Sequence, residues 1–391
     1  MSVSIDVAWK SLNKHHEELC GDKVEILKTE ESDIVILADG MGSGVKANIL
    51  ATLTSKILGT MLYEGASIES CVETIARTLP ICKVRKVAYA TFSILQIFHS
   101  GEAYLAEFDN PSCVFIRDGK IVDYPYETRE IENKKIREYR FTVKKNDCFV
   151  LMSDGVIYAG AGSILNLQGW TWEAMAEYTL KCTKKTLSAS RLAVMLSQAC
   201  EELYEEKPGD DTTVAVARVI DRRVVNLFTG PPKEKEDDER LMREFMGAEG
   251  KKVVSGGTSS NIAARVLGKE IVTKINSRNP DIPPMAEIEG IDLVTEGVLT
   301  LAKCLKLLKK YERDEFDAEF FEELDAENGA SRLAKLLIEE CTELNLFVGT
   351  AVNDAHKDSE LSFDISMRMN LVNQLVAVAE KLGKTVRVRY Y

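Results

Sequence analysis

Over roughly the first 220 positions, apolar residues come in short runs cut by polar turns. "SVSIDVAW" alternates with the period of two that marks a half-buried strand. "KVEILK" and "DIVILAD" are joined by polar "TEES", which predicts a hairpin. "VAYATFSILQIF", "EAYLAEF" and "SCVFIRDGKIVDY" predict a meander with Ser-Gly and Asp-Gly turns. "DCFVLMSDG" and "TTVAVARVI" add further strands, the first a nearly unbroken apolar run. Other stretches repeat at helical spacing. Over 46–63 the apolar positions are Ile49, Leu50, Leu53, Ile57, Leu58 and Met61; 67–79 opens with a Ser N-cap signal; 172–183 and 188–204 follow. Strands outnumber helices, and the helices come in pairs between strand groups. The pattern predicts an α+β fold, antiparallel sheet with helices on its outer faces.

The pattern changes after 223. "FTGPPKEKEDDER" is a Pro-Gly break followed by mixed charge, which reads as a solvated helix start and the opening of a new domain. Beyond it, strands ("VVNLF", "KKVVSGG", "LFVG", "TVRVRYY") alternate with helices expected near 234–246, 261–267, 296–311, 315–324, 331–344 and 363–382. Strand-helix alternation predicts a smaller α/β domain. The expected division is 1–222 and 223–391. No repeat of fixed period and no low-complexity tract interrupts either part.

Composition narrows the function. The chain has 391 residues, is 45% hydrophobic and carries a formal charge of −12. That balance argues against nucleic acid or an anionic membrane as main partner. Nine cysteines occur with no CxxC and no Cys/His cluster, the usage of reduced structural thiols. "MSVSIDVAWK" lacks the basic-then-apolar pattern of a signal peptide, and no window reaches the ~20 apolar residues of a membrane span. A cytoplasmic protein is expected.

The candidate chemistry lies in aspartates at strand ends. Asp22 precedes a strand in "CGDKVEI", Asp39 ends "IVILADG", Asp154 ends "FVLMSDG", and Asp210 and Asp211 precede a strand in "PGDDTTVAVA". One Asp-Gly is only a turn. Here both Asp-Gly pairs follow runs of the kind buried on both faces, whose ends can meet at one edge of a core. Carboxylates gathered there repel one another and raise each other's pKa. A divalent cation removes the repulsion, and oxygen ligands without Cys or His suit Mg²⁺ or Mn²⁺ rather than Zn²⁺. Two such ions bridged by one Asp can lower the pKa of a shared water and aim it at phosphorus. Gly40, following Asp39, lets a backbone carbonyl approach such an ion.

"LADGMGSGVKA", "LMSDG" and "GDDTTVAV", in this order and with "GD" upstream, resemble the metal-dependent serine/threonine protein phosphatases of type 2C. The resemblance is closest to their bacterial SpoIIE/RsbU branch and covers about 1–220. It implies a sandwich of two antiparallel β-sheets flanked by helices. It also implies roles. Asp39 resembles the Asp that bridges two metal ions, Gly40 the carbonyl ligand, Asp154 and Asp210 further metal ligands. Asp22 resembles the "GD" Asp that acts through a metal-bound water; Asp22 and Asp39 are thus the catalytic candidates. Asp211 replaces Asp210 if the pair is aligned one position off. The implied reaction is direct attack of a metal-bridging water on phosphoserine or phosphothreonine of a regulatory protein, without a phosphoenzyme. An anti-sigma-factor-antagonist-like domain is the branch's common target, and a homodimer is an open expectation. The chain shows no counterpart of the phosphate-binding arginine of eukaryotic members. Accessory domains usually precede the catalytic domain in this branch, whereas here the additional domain follows it. Two other readings stay open: a catalytically silent phosphatase-fold binding module, and a metal-dependent phosphohydrolase of a small molecule. His15 and His16 are candidates for protonating the leaving group, His99 and His356 read as solvated or structural, and Cys20 is the cysteine beside Asp22.

The second half resembles no family. "VVSGGTSSNIAARVLG" reads as strand, Gly-Gly turn and helix. Backbone N–H groups there, with Gly257, Thr258, Ser259 and Ser260, form a candidate anion site. No GK[ST] follows, so it is not a P-loop, and the plain reading is a helix N-cap. "FVGTAVNDAHKDSE" is a second polar loop placed to reach the same sheet edge.

Overall fold

The computed structural model describes residues 3–78, 90–131, 134–162, 169–274, 285–351 and 361–391. The chain divides into two compact units, Met1–Asp221 and Arg222–Tyr391.

The first unit holds two antiparallel sheets. One runs in the order Ser4–Leu12, Thr212–Ile220, Cys148–Met152, Val114–Arg117, Lys120–Ile121. The other runs Asp22–Lys28, Ser32–Gly40, Ala90–Phe98, Glu102–Phe108, Lys134–Thr142, Glu127–Ile131. Inward residues of both, Val35, Leu37, Leu95 and Leu105 from one and Phe149, Leu151, Ala215 and Ala217 from the other, make one core. Alternate residues of the same strands face outward. Ile34, Ile36, Phe92 and Ile94 pack under the Gly44–Tyr63 and Ile68–Thr78 helices through Leu58, Leu62, Val72 and Ile75. This explains the unbroken apolar run "IVILA": its strand is buried on both faces. The Ala189–Leu203 helix packs on the outer face of the other sheet, with Trp172–Thr183 beside it. The result is the helix-flanked antiparallel sandwich that the pattern predicts.

Two strands of this unit were not expected, nor were three short ones of the second, Val272–Lys274, Met285–Glu287 and Leu293–Thr295. Glu127–Ile131 and Lys134–Thr142 read "ETREI" and "KKIREYRFT", too charged for a strand signal. They form the far edge of their sheet, where charged side chains can face water.

The second unit holds a seven-stranded sheet in the order Val272–Lys274, Met285–Glu287, Leu293–Thr295, Lys251–Ser255, Val224–Thr229, Glu343–Val348, Thr385–Tyr390. The last five pair in parallel. The first strand in sequence, Val224–Thr229, is central, and the chain winds outward on one side and then on the other, a doubly wound α/β arrangement. Phe228, Phe245, Val254, Ala263 and Phe347 centre part of its core. The helix expected over 331–344 ends earlier, as Gly329–Glu339, because Leu344 and Leu346 belong to the next strand. The helix expected from 261 starts at Gly257. Among the described residues no helix is long and apolar enough to cross a membrane.

Candidate active site

Strand register brings the aspartates together. Asp22 begins its strand directly opposite Asp39, and Asp39 in turn lies opposite Thr91. Directly opposed residues point to one face of a sheet, so both carboxylates face the partner sheet. That sheet supplies the rest. Asp154 opens a short helix, Asp154–Ile157, just past the strand Cys148–Met152. Asp211 directly precedes the strand Thr212–Ile220. The two strand ends are tied: Ser153 N–H donates to Thr213 O (3.0 Å) and Thr213 N–H to Ser153 Oγ (2.8 Å). Gly155 sits so close to the Asp211 carbonyl that a Cβ there would collide with it. Gly40 N–H donates to Gly21 O (3.1 Å), and a Cβ on Gly40 would strike the backbone of Ala47.

The electrostatics show how crowded this edge is. Burial raises the Asp22 carboxyl to about 7, and Asp211 and Asp154 add to the rise. Asp39 is pushed well above the usual carboxylate range by burial, then by Asp22, Asp154, Asp210 and Asp211. Asp154 is raised by burial and by Asp210, and Asp211 is raised chiefly by burial. The hydroxyls of Ser153 and Thr213 temper the rise at Asp22, yet neither of its oxygens receives a hydrogen bond of good geometry. Asp211 Oδ2 is likewise buried without one. Buried carboxylate oxygens without donors are costly and are relieved by a proton or by a bound cation.

The members of the Asp pair differ. Asp211 is buried, and its Oδ1 accepts the Lys14 N–H (3.1 Å). Asp210 is half exposed and pairs with Lys14 Nζ (3.4 Å). Tyr204 donates its hydroxyl to Gly155 O (2.7 Å). Sequence reasoning missed Lys14 and Tyr204 because neither stands in a motif. His15 and His16 are exposed, their rings lie 3.8 Å apart, and the His15 backbone N–H donates to Pro208 O (2.8 Å). His99 lies at the other end of the strand, 3.8 Å from Asp33, and His356 is outside the described residues. Burial pushes the Cys20 thiol up to about 12, which leaves it no thiolate character at neutral pH.

In the second unit, Gly257, Thr258, Ser259 and Ser260 form the first turn of the Gly257–Leu267 helix. Ser259 Oγ accepts the Gly230 N–H (2.8 Å), and Ser260 donates to Gly256 O (2.9 Å). Both serines are buried, while Gly257 and Thr258 are exposed. The serine hydroxyls thus hold the turn together. Of the second polar loop, 352–360 lies outside the described residues.

Among the described residues, no group of three or more His, Cys, Asp or Glu side chains is arranged to hold a metal ion as it stands. The donor set nonetheless fits one in kind: acidic oxygens, three of them buried without donors, in a place where each carboxylate disfavours its neighbour's charge.

Residues 30–220 match the family model described as stage II sporulation protein E. No curated protein matches the chain. Among solved structures, the chain is similar to the PP2C phosphatase domain and regulatory-domain fragment of the cell fate determinant SpoIIE from Bacillus subtilis. The identity is 19%, covering 56% of this chain and 64% of that one, with a TM-score of 0.49. It is also similar to the RsbU and RsbW domains of a Mycobacterium tuberculosis protein (16% identity, 56% and 61% covered, TM-score 0.45). A third is RsbX in complex with magnesium (20% identity, 55% and 95% covered, TM-score 0.40). The chain thus spans less than two thirds of the first two structures' own length. The match to this family model runs from just before the Ser32–Gly40 hairpin strand to the end of Thr212–Ile220, so the SpoIIE likeness lies in the first unit and takes in both Asp-Gly strand ends.

Proposed function

We propose that the first unit is a metal-dependent protein serine/threonine phosphatase that hydrolyses phosphoserine or phosphothreonine on a regulatory protein by direct attack of water. The observation that carries the reading is the gathering of Asp22, Asp39, Asp154 and Asp211, with Asp210 at the rim, at one edge of a sandwich, with buried oxygens that lack donors. Asp39, Asp154, Asp210 and the Gly40 carbonyl would hold Mn²⁺ or Mg²⁺, with Asp22 beside them; two ions are proposed. Bound there, the ions would supply charge neutralisation for a phosphoryl group and activation of water. The chain's own part is to hold the carboxylates in register across two sheets and to keep them dehydrated. An anti-sigma-factor-antagonist-like domain is the proposed type of substrate. The second unit, proposed as 223–391, has a regulatory or ligand-binding role, with Gly257 and Thr258 as its exposed backbone donors.

The test is hydrolysis of p-nitrophenyl phosphate and of a phosphoserine peptide, with and without Mn²⁺, by the full chain and by Asp39→Asn and Asp154→Asn. The expected result is metal-dependent turnover that each substitution lowers at least ~100-fold, with the fold retained. Undiminished turnover in either variant would overturn the site assignment. Turnover of small phosphates alone would favour the small-molecule phosphohydrolase, and no turnover the silent binding module.

A further inference from the structure

The segment 13–21 links the strands Ser4–Leu12 and Asp22–Lys28 and crosses the acidic edge. It is fastened on one side to the Asp210–Asp211 segment through Lys14 and through His15 N–H on Pro208 O. On the other side it is fastened to the start of the Gly44–Tyr63 helix. Asn48 Nδ2 donates to Cys20 O (2.8 Å), and Ser43 donates its hydroxyl to Glu17 Oε1 (2.9 Å). Glu17 Oε2 lies at the place a Cβ on Gly44 would take, and Gly44, at φ +65, holds the left-handed conformation that favours glycine.

This contact fills a need of the helix. Its first turn contains no acidic residue, and its N-cap Ser43 makes no side-chain cap bond. A helix start leaves backbone N–H groups unpaired and favours a negative charge nearby. Glu17, from a distant part of the sequence, brings a carboxylate to that place. The loop so held, 40–44, begins at Gly40, next to Asp39. We propose that Glu17 is a positioning residue of the metal site: it holds the 40–44 loop so that Asp39 and the Gly40 carbonyl are set for a divalent cation. The inference rests on the phosphatase reading and deepens it.

The test is Mn²⁺ binding to the full chain by titration calorimetry, alongside p-nitrophenyl phosphate turnover at saturating Mn²⁺. Glu17→Ala is expected to weaken Mn²⁺ binding about five- to tenfold, the scale of a charge or cap at a helix end, with kcat changed less than about twofold. Glu17→Gln, which keeps an acceptor for Ser43, recovers part of the loss. Ser43→Ala weakens binding too, and the double variant is no worse than the weaker single one, because both remove the same bond. Unchanged affinity in Glu17→Ala, or additive losses, overturns the inference alone. A fall in kcat as large as the fall in affinity overturns it too, by making Glu17 part of the reacting machinery. If the unsubstituted chain binds no Mn²⁺, the phosphatase reading falls and the inference with it.

Discussion

Asp22 shows what a single residue does here. It is buried at the start of an edge strand, its oxygens lack hydrogen-bond donors, and its carboxyl is raised to about 7 from an ordinary 3.8. The folded chain therefore holds this proton more tightly than the unfolded chain does. As pH rises from about 4 to about 7, the unfolded state gains charge first, and stability is lost across that window; above it the contribution is flat. Asp39 and Asp154, raised in the same direction, act alike. In chelator, the first unit's melting temperature should fall by roughly 5–10 °C between pH 5 and 7.5. Asp22→Asn should remove much of that slope. Mn²⁺ should reverse it, since ligation needs the deprotonated carboxylates. Thermal melts at fixed ionic strength check this, and a flat or rising profile in chelator would count against a shared acidic edge. The sequence motifs named these aspartates because the glycines beside them punctuate buried runs. What they did not reveal is the division of labour at 210–211, or the parts of Lys14 and Glu17. Those follow from how the 13–21 segment crosses the edge, and no local pattern encodes that crossing.

At the scale of elements, the site depends on close approaches between backbones. The strand end at Gly40 presses against the helix backbone at Ala47, and the helix start at Gly155 presses against Asp211 and Thr212. Gly155→Ala should cost about 1–3 kcal/mol by overpacking and should reduce Mn²⁺ affinity as well, since it forces the Asp154 and Asp211 segments apart. Gly257→Ala is a useful contrast. It stands at a helix start with open space around its Cβ position and should change stability by under about 1 kcal/mol. Urea unfolding of both variants separates the two expectations. Elements were legible where burial and periodicity agree, as in the Ser32–Gly40 strand and the Gly44–Tyr63 helix. They were not where tertiary contacts override local preference. "GTSS" begins a helix although glycine and serine favour loops, because Ser259 and Ser260 bond Gly230 and Gly256. The charged strand Lys134–Thr142 is a strand because Glu102–Phe108 pairs with it.

Over the whole molecule, two architectures follow one another on one chain, an antiparallel sandwich and a doubly wound parallel sheet. Each buries its own aromatic and aliphatic core, around Phe149 and Leu95 in one and around Phe245 and Phe347 in the other. A core that is complete within its unit should unfold as its own cooperative step. Scanning calorimetry of the full chain is therefore expected to resolve two transitions. On the proposed reading Mn²⁺ would bind only where the acidic edge is folded, so it should raise the transition of the first unit and leave the other in place. Phe245→Ala removes a fully buried ring and should lower the second transition by an amount equivalent to about 3–5 kcal/mol, leaving the Mn²⁺-sensitive one where it was. If each step responds only to its own perturbation, metal binding and the second core are energetically separate, and any control of the proposed phosphatase by the second unit must act through a ligand or a partner. If Phe245→Ala lowers both transitions together, the second unit supports the stability of the first directly, and the regulatory role proposed for it would act through folding itself.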